Sequence, residues 1–230
     1  MSRRNFHAGR ARWALVASLA VIAAACNKDT PTGAAGAASF SIAGPYTRAG
    51  IVGQQLQGPL VVQMNDANGN PAAGQAVSFT VRGNGGSVIA TAKTDANGRA
   101  WALFKLGALA GLDTVVATAG DQSVTFVVQA MPGTLAQFQM VSGDQQAVVA
   151  GADAAFVVRA LDAYGNSIPG VLLNWLDLSG GLIVAAGEVT DASGLAQARL
   201  QTNADPGLQY LVQVLSGDGS VSITFTVNAN

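Results

Sequence analysis

Two short turns recur in this chain at one fixed spacing, and that spacing constrains the fold more than any other feature. Asp66-Ala-Asn-Gly-Asn-Pro71 returns as Asp162-Ala-Tyr-Gly-Asn-Ser167. Thr94-Asp-Ala-Asn-Gly98 returns as Thr190-Asp-Ala-Ser-Gly194. Both pairs are offset by 96 residues (162 − 66 and 190 − 94). Two turns repeating in one register predict two copies of one domain. Each turn is flanked by segments that alternate apolar and polar, the period of a half-buried strand.

The alternation covers most of both copies. In the first, Leu60, Val62 and Met64 alternate with polar or smaller neighbours, as do Val77, Phe79 and Val81. Ala100, Ala102, Phe104 and Leu106, and then Val124, Phe126 and Val128, continue the pattern. With an opening strand at Phe40–Ile42, one at Ser87–Lys93 and one at Thr114–Thr118, the count is about seven strands, the number of an immunoglobulin-like sandwich. The second copy repeats the inward faces, with Phe156, Val158 and Ala160, then Leu173 and Trp175, then Ala196, Ala198 and Leu200. Tyr210, Val212 and Val214 are matched with Thr114, Val116 and Thr118. The last strand is offset by 99, and the extra three residues are assigned to the loop at Ser216–Ser220. The fold class expected is all-β: two tandem antiparallel β-sandwiches at 39–131 and 135–230. The link Met131-Pro-Gly-Thr134 is too short for two independent beads.

The N-terminus reads differently. Arg3, Arg4, Arg10 and Arg12 precede a 13-residue apolar run, Trp13–Ala25, the organisation of a signal peptide over residues 1–25. Cys26, the only cysteine, follows small residues. The segment resembles a lipoprotein signal, which implies acylation of Cys26 and membrane attachment through it. A secreted protein with a free thiol is the alternative. The n-region also resembles a twin-arginine signal, so the export route stays open. Asn27 after the cysteine favours outer-membrane sorting. Residues 26–38 then form a small, polar tether with a reach of roughly 20 Å.

Composition narrows function. Without the four leader arginines, 8 basic residues face 13 acidic ones, a net charge of −5. That gives no basic footprint for nucleic acid. The sole histidine is His7, in the leader, and Glu188 is the only glutamate. Neither a Ser-His-Asp triad nor a His-ligated metal can be assembled, and no cofactor is expected. Paired aspartates are the one hydrolytic device left. The Asp66 turn places oxygens at i, i+2 and i+4, as a calcium loop begins, but its twelfth position is Val77 and its second copy has Tyr164 in the middle. The turn residues Asp66, Gly69, Asn70, Asp95, Gly98, Asp162, Gly165, Asn166, Asp191 and Gly194 are therefore read as structural. Gly83-Asn-Gly-Gly-Ser87 lacks the lysine of a phosphate loop.

The stretch from Pro59 to Pro71, with Gly74, Val77-Ser-Phe-Thr80 and Thr94-Asp-Ala-Asn-Gly-Arg-Ala100, resembles the bacterial immunoglobulin-like domain, group 1, of invasin- and intimin-type surface proteins. The second copy is looser, with Tyr164 for Asn68 and Ser167 for Pro71. The resemblance implies a spacer, stalk or adhesion module on the bacterial surface and carries no ligand with it. Trp101 is expected to point outward between inward Ala100 and Ala102, and Leu172 and Leu176 likewise. Trp101 and Tyr164 are the candidate contacts for a partner, a protein or a polysaccharide, and domain packing is the competing explanation. The function expected is a non-enzymatic cell-envelope lipoprotein acting as spacer or adhesion module. A polysaccharide-binding accessory subunit is the alternative.

Overall fold

The computed structural model describes residues 39–45 and 47–230. The leader, Cys26 and the tether lie outside the described residues. Alternating segments become strands throughout. The first copy holds β1 (Ser39–Ile42), β2 (Thr47–Ile51), β3 (Leu60–Asn65), β4 (Ser78–Arg82), β5 (Gly86–Ala90), β6 (Arg99–Leu106), β7 (Gly111–Ala119) and β8 (Gln122–Met131). The second holds β9 (Leu135–Ser142), β10 (Gln146–Val148), β11 (Asp153–Asp162), β12 (Leu173–Asp177), β13 (Leu182–Ala186), β14 (Leu195–Gln201), β15 (Gln209–Ser216) and β16 (Ser222–Ala229).

Each copy folds as two four-stranded sheets. In the first the orders are β1-β3-β6-β5 and β2-β8-β7-β4. In the second they are β9-β11-β14-β13 and β10-β16-β15-β12. Adding eight to every label of the first copy gives the second, so the repeat holds at the level of strand order. The expected fold, tandem β-sandwiches, is the fold found.

The period-two faces explain the cores. Leu60, Val62 and Met64 of β3 meet Phe104 and Leu106 of β6 across from Val115, Phe126 and Val128 of the second sheet, all buried. Burying each such side chain is worth about 1.5–3 kcal/mol. The second core is more aromatic. Phe225 lies 5.1 Å from Phe156 and 6.2 Å from Trp175, ring centre to ring centre. The Trp175 indole donates to the Gly187 carbonyl at 3.0 Å, and the Tyr210 hydroxyl accepts from the Asn203 N–H at 2.9 Å. Both polar tips are satisfied inside an apolar environment.

Two expectations need correction. Each copy has eight strands rather than about seven. The extra ones, β2 and β10, are short edges that pair in parallel with the last strand of their copy, β8 and β16. Thr47–Ile51 has no apolar alternation, because its pairing is backbone-driven and its side chains are exposed or only half-buried. The second correction concerns phase. Asp113, Val115, Ala117 and Ala119 face inward on β7, not Thr114, Val116 and Thr118. Asp113 sits opposite Val128 as Tyr210 sits opposite Val227, so Tyr210 matches Asp113. Of the three extra residues, one lies between β14 and β15. Only two lie in the hairpin, where Ala119 pairs with Gln122 and Ser216 bonds to Val221. Val115 and Val116 are adjacent, so alternation alone leaves the phase of this strand undetermined.

The two turns of each copy meet in space. Met64 N–H donates to the Gly98 carbonyl at 2.8 Å, and Ala160 N–H to that of Gly194 at 2.9 Å. Gly98 has φ +71°, and a Cβ there would stand 2.3 Å from the Met64 carbonyl oxygen. Gly69 has φ +84° with open space around it. Gly69→Ala should therefore cost about 1 kcal/mol and Gly98→Ala more than about 3 kcal/mol of folding stability, from the combined left-handed backbone and steric terms. Denaturant midpoints of the two variants measure the difference.

Candidate functional site

The four aspartates of the turns share one geometry. The Asp66 carboxylate accepts the N–H groups of Asn68 at 2.8 Å and Asn70 at 2.9 Å. Asp95 does the same with Asn97 and Arg99, both at 2.8 Å. Asp191 does so with Ser193 at 2.8 Å and Leu195 at 3.0 Å. Asp162 does so with Tyr164 at 2.9 Å and Asn166 at 2.8 Å. In each, the glycine one residue before the bend closes has positive φ, from +71° to +84° at Gly69, Gly98, Gly165 and Gly194. A carboxylate oxygen that faces two N–H donors is already engaged, and the donors repel a cation. At Asp66 the N–H of Asn70 is the main cause holding the carboxyl below its ordinary pKa.

A threonine clip, not anticipated from the sequence, locks the paired turns. The Thr94 hydroxyl donates to Ala72 O at 2.7 Å and accepts from Gln75 N–H at 2.9 Å. Thr190 repeats this with Ile168 O at 2.8 Å and Val171 N–H at 2.9 Å. Both threonines are buried. The signal was present in the shared Thr-Asp-Ala of the two turns.

The second copy uses its corner for an added purpose. Asn166 accepts the Ala110 N–H at 2.9 Å and donates to the Ala108 carbonyl at 2.8 Å, both on the β6–β7 loop of the first copy. The other oxygen of Asp162 accepts the N–H of Gly133, in the link, at 2.9 Å. Burial pushes the Asp162 carboxyl up, but donation from the Asn166 side chain and from the Gly133, Asn166 and Tyr164 backbones outweighs it and leaves the pKa lowered. Tyr164 packs on Gly53, whose missing Cβ would otherwise stand 2.3 Å from the Tyr164 hydroxyl. Tyr164 is 54% exposed but borders the cleft between the copies, with Ile51 and Gly133. Among the described residues the side chain of Asn70, the counterpart of Asn166, reaches only its own Asp66, at 3.5 Å.

Trp101 stands elsewhere, on the outward face of β6, 40% exposed. Trp101 is not among the residues lining the cleft that Tyr164 borders. Leu172 and Leu176 are exposed as expected, at 64% and 45%. Asp113 is a buried acid that sequence reasoning missed. It is fully buried, accepts the Asn84 N–H at 2.6 Å through one oxygen, and finds no partner for the other. Burial is the main cause of its raised pKa.

No family model and no curated protein matches the sequence. Solved structures do match. FdeC, described as a broadly conserved Escherichia coli adhesin, superposes with a TM-score of 0.59 at 21% identity over 84% of this chain. InvD of Yersinia pseudotuberculosis superposes with a TM-score of 0.55 at 19% identity over 83%. The chain has the fold of an adhesin's immunoglobulin-like repeats. It spans 63% of the FdeC chain and 57% of the InvD chain, under two thirds of either.

Two outcomes follow from this geometry. Asn166→Ala removes both side-chain contacts to the β6–β7 loop, each worth about 1 kcal/mol. Trypsin-free proteases acting on the link should then cut at 131–134 several-fold faster, read by gel and mass spectrometry. For Asp113 the folded pKa is raised, so the folded state holds the proton more tightly. Its contribution to stability is complete below the unfolded carboxyl pKa and is lost as pH rises through the folded one. Asp113→Asn should be more stable than the parent at neutral pH, and the gap should close toward pH 4, measured by thermal midpoints across that range.

Proposed function

We propose that the chain is a non-enzymatic lipoprotein of the bacterial cell envelope, anchored through acylated Cys26, that serves as a surface spacer or adhesion module. The observation that carries this reading is the junction. The corner of the second sandwich is hydrogen-bonded to the loop and link of the first, so the two copies present their outer surfaces as one body. A spacer needs that stiffness, because a free hinge would let the distal repeat fold back toward the membrane. The turn carboxylates Asp66, Asp95, Asp162 and Asp191 are bound to their own backbones, which supports a non-enzymatic role. The solved neighbour FdeC is described as an adhesin, and this chain shares its fold. The second reading, polysaccharide binding, is supported by the exposed Trp101 but not by a common platform with Tyr164.

Protease treatment of intact cells tests the proposal. The sandwiches should be cut or shaved from whole cells. Cleavage only after outer-membrane permeabilisation would remove the surface-adhesion reading. Cys26→Ser should move the protein from the membrane fraction to the soluble exported fraction, followed by blotting. Unchanged membrane retention would count against the lipid anchor.

A further inference from the structure

The sheet β1-β3-β6-β5 of the first copy carries an outer face unlike its counterpart in the second. On it Trp101 pairs across to Val61, and Leu103 pairs across to Ile89. These four make an apolar centre, with Trp101 at 40% and Ile89 at 73% exposure. Arg99 and Lys105 flank it along the same strand, both exposed. At the second copy's matching places, set by the pairing of Val157 with Gln197, the residues are Gln197 for Trp101 and Arg199 for Leu103. The interior of the repeat is shared, and this surface is not.

The charges on this face are free for a ligand. Arg99 bonds only through its Nε to Gln63, at 3.2 Å, and neither Arg99 nor Lys105 forms an ion pair with a described residue. No described residue accepts from the Trp101 indole N–H. The outward positions of the four strands carry no carboxylate. The acid at its border is Asp95, whose carboxylate is held by the Asn97 and Arg99 backbone N–H groups, while the residues after the leader carry a net charge of −5, counted as 8 basic against 13 acidic residues. Along β6, Arg99 and Lys105 lie about 7 Å and about 13 Å from Trp101, on opposite sides, at the rise of an extended strand. The track is therefore about 20 Å long, several sugar rings.

We propose that the outer face of β6, with Trp101 between Arg99 and Lys105, binds an acidic polysaccharide of the uronate-bearing class. The indole supplies a flat apolar platform and a free donor for a sugar ring, and the two cations meet carboxylates on rings farther along the same polysaccharide, to either side of it. An acidic peptide fits less well. Peptides that bind sheets take backbone hydrogen bonds at an edge or anchor in a groove, and this is the flat middle of a face. The proposal rests on the adhesion-module reading and names the chemistry of its partner.

Affinity electrophoresis of the full-length chain through gels containing polygalacturonate, neutral dextran or polyglutamate tests it. Polygalacturonate should retard the chain, less so as salt is raised, while dextran and polyglutamate should not. Trp101→Gln, which installs the second copy's own residue, should weaken the retardation at least about tenfold, as truncation of a central aromatic does. The double variant Arg99→Gln/Lys105→Gln should weaken it comparably, with thermal midpoints confirming that both variants are folded. No retardation by polygalacturonate, equal retardation by polyglutamate, or retardation unchanged in a folded Trp101→Gln chain each overturns the site. That failure is separable from failure of the adhesion reading, which is decided by protease access on intact cells.

Discussion

One carboxylate oxygen accepting the N–H groups two and four residues ahead is the interaction on which each sandwich depends. It occurs at Asp66, Asp95, Asp162 and Asp191. A tight reversal leaves backbone donors that no strand can satisfy, and leaving them unpaired costs about as much as losing a hydrogen bond each. The aspartate supplies both acceptors from one side chain, and a glycine supplies the positive φ that closes the bend. Because the carbonyls of Gly98 and Gly194 then accept the N–H groups of Met64 in β3 and Ala160 in β11, the two corners of a copy form one unit. That unit fixes where strands of the same sheet begin relative to one another. The inward faces follow from it, since strand register decides which residues are buried.

The same corner serves two purposes in the two copies, and the difference lies in which atoms are left over. In the first copy the Asn70 side chain reaches only its own Asp66 among the described residues. In the second copy the spare oxygen of Asp162 holds the link, and the Asn166 amide bridges to the neighbouring sandwich. Tyr164, where the first copy has Asn68, fits over a glycine in the first copy that leaves room for its hydroxyl. The looser match of the second motif is therefore the mark of a joint, in which one position has been given to a contact that the first copy's corner does not make among the described residues.

How much of this was legible depended on whether the determining contact was local. The apolar period placed Leu60, Val62, Met64 and their counterparts in the core correctly, and the four corners declared themselves through Asp and Gly at fixed spacing. β2 left no period because an edge strand held by parallel backbone pairing asks little of its side chains. The phase of β7 was misassigned because a hairpin and a preceding loop both changed length, and adjacent valines satisfied either choice. Asp113 on the inward face is a local violation of the pattern, so a reading by hydropathy moved the strand instead of accepting a buried acid. The joint at Asn166 was invisible since its partners at Ala108 and Ala110 offer only backbone, and a backbone acceptor or donor has no sequence signature.

The outer faces show where the two copies have parted. Trp101 and Leu103 correspond to Gln197 and Arg199 on one sheet, so the centre of that face is apolar in the first copy and polar in the second, whose exposed Leu182 and Val184 lie on the edge strand β13. The other sheet differs in both directions, since exposed Leu112 of the first copy stands where the second has Gln209. Thr80 and Thr114 of the first copy correspond to Leu176 and Leu211 of the second, both exposed. Solvent-facing apolar groups reduce free energy only when something covers them. The first copy sets Trp101 beside cations on β6, whereas the second exposes Leu176 on β12 and Leu211 on β15. Joined as one body through the Asp162 corner, the two copies offer chemically distinct faces at a set spacing, which two freely hinged sandwiches could not do.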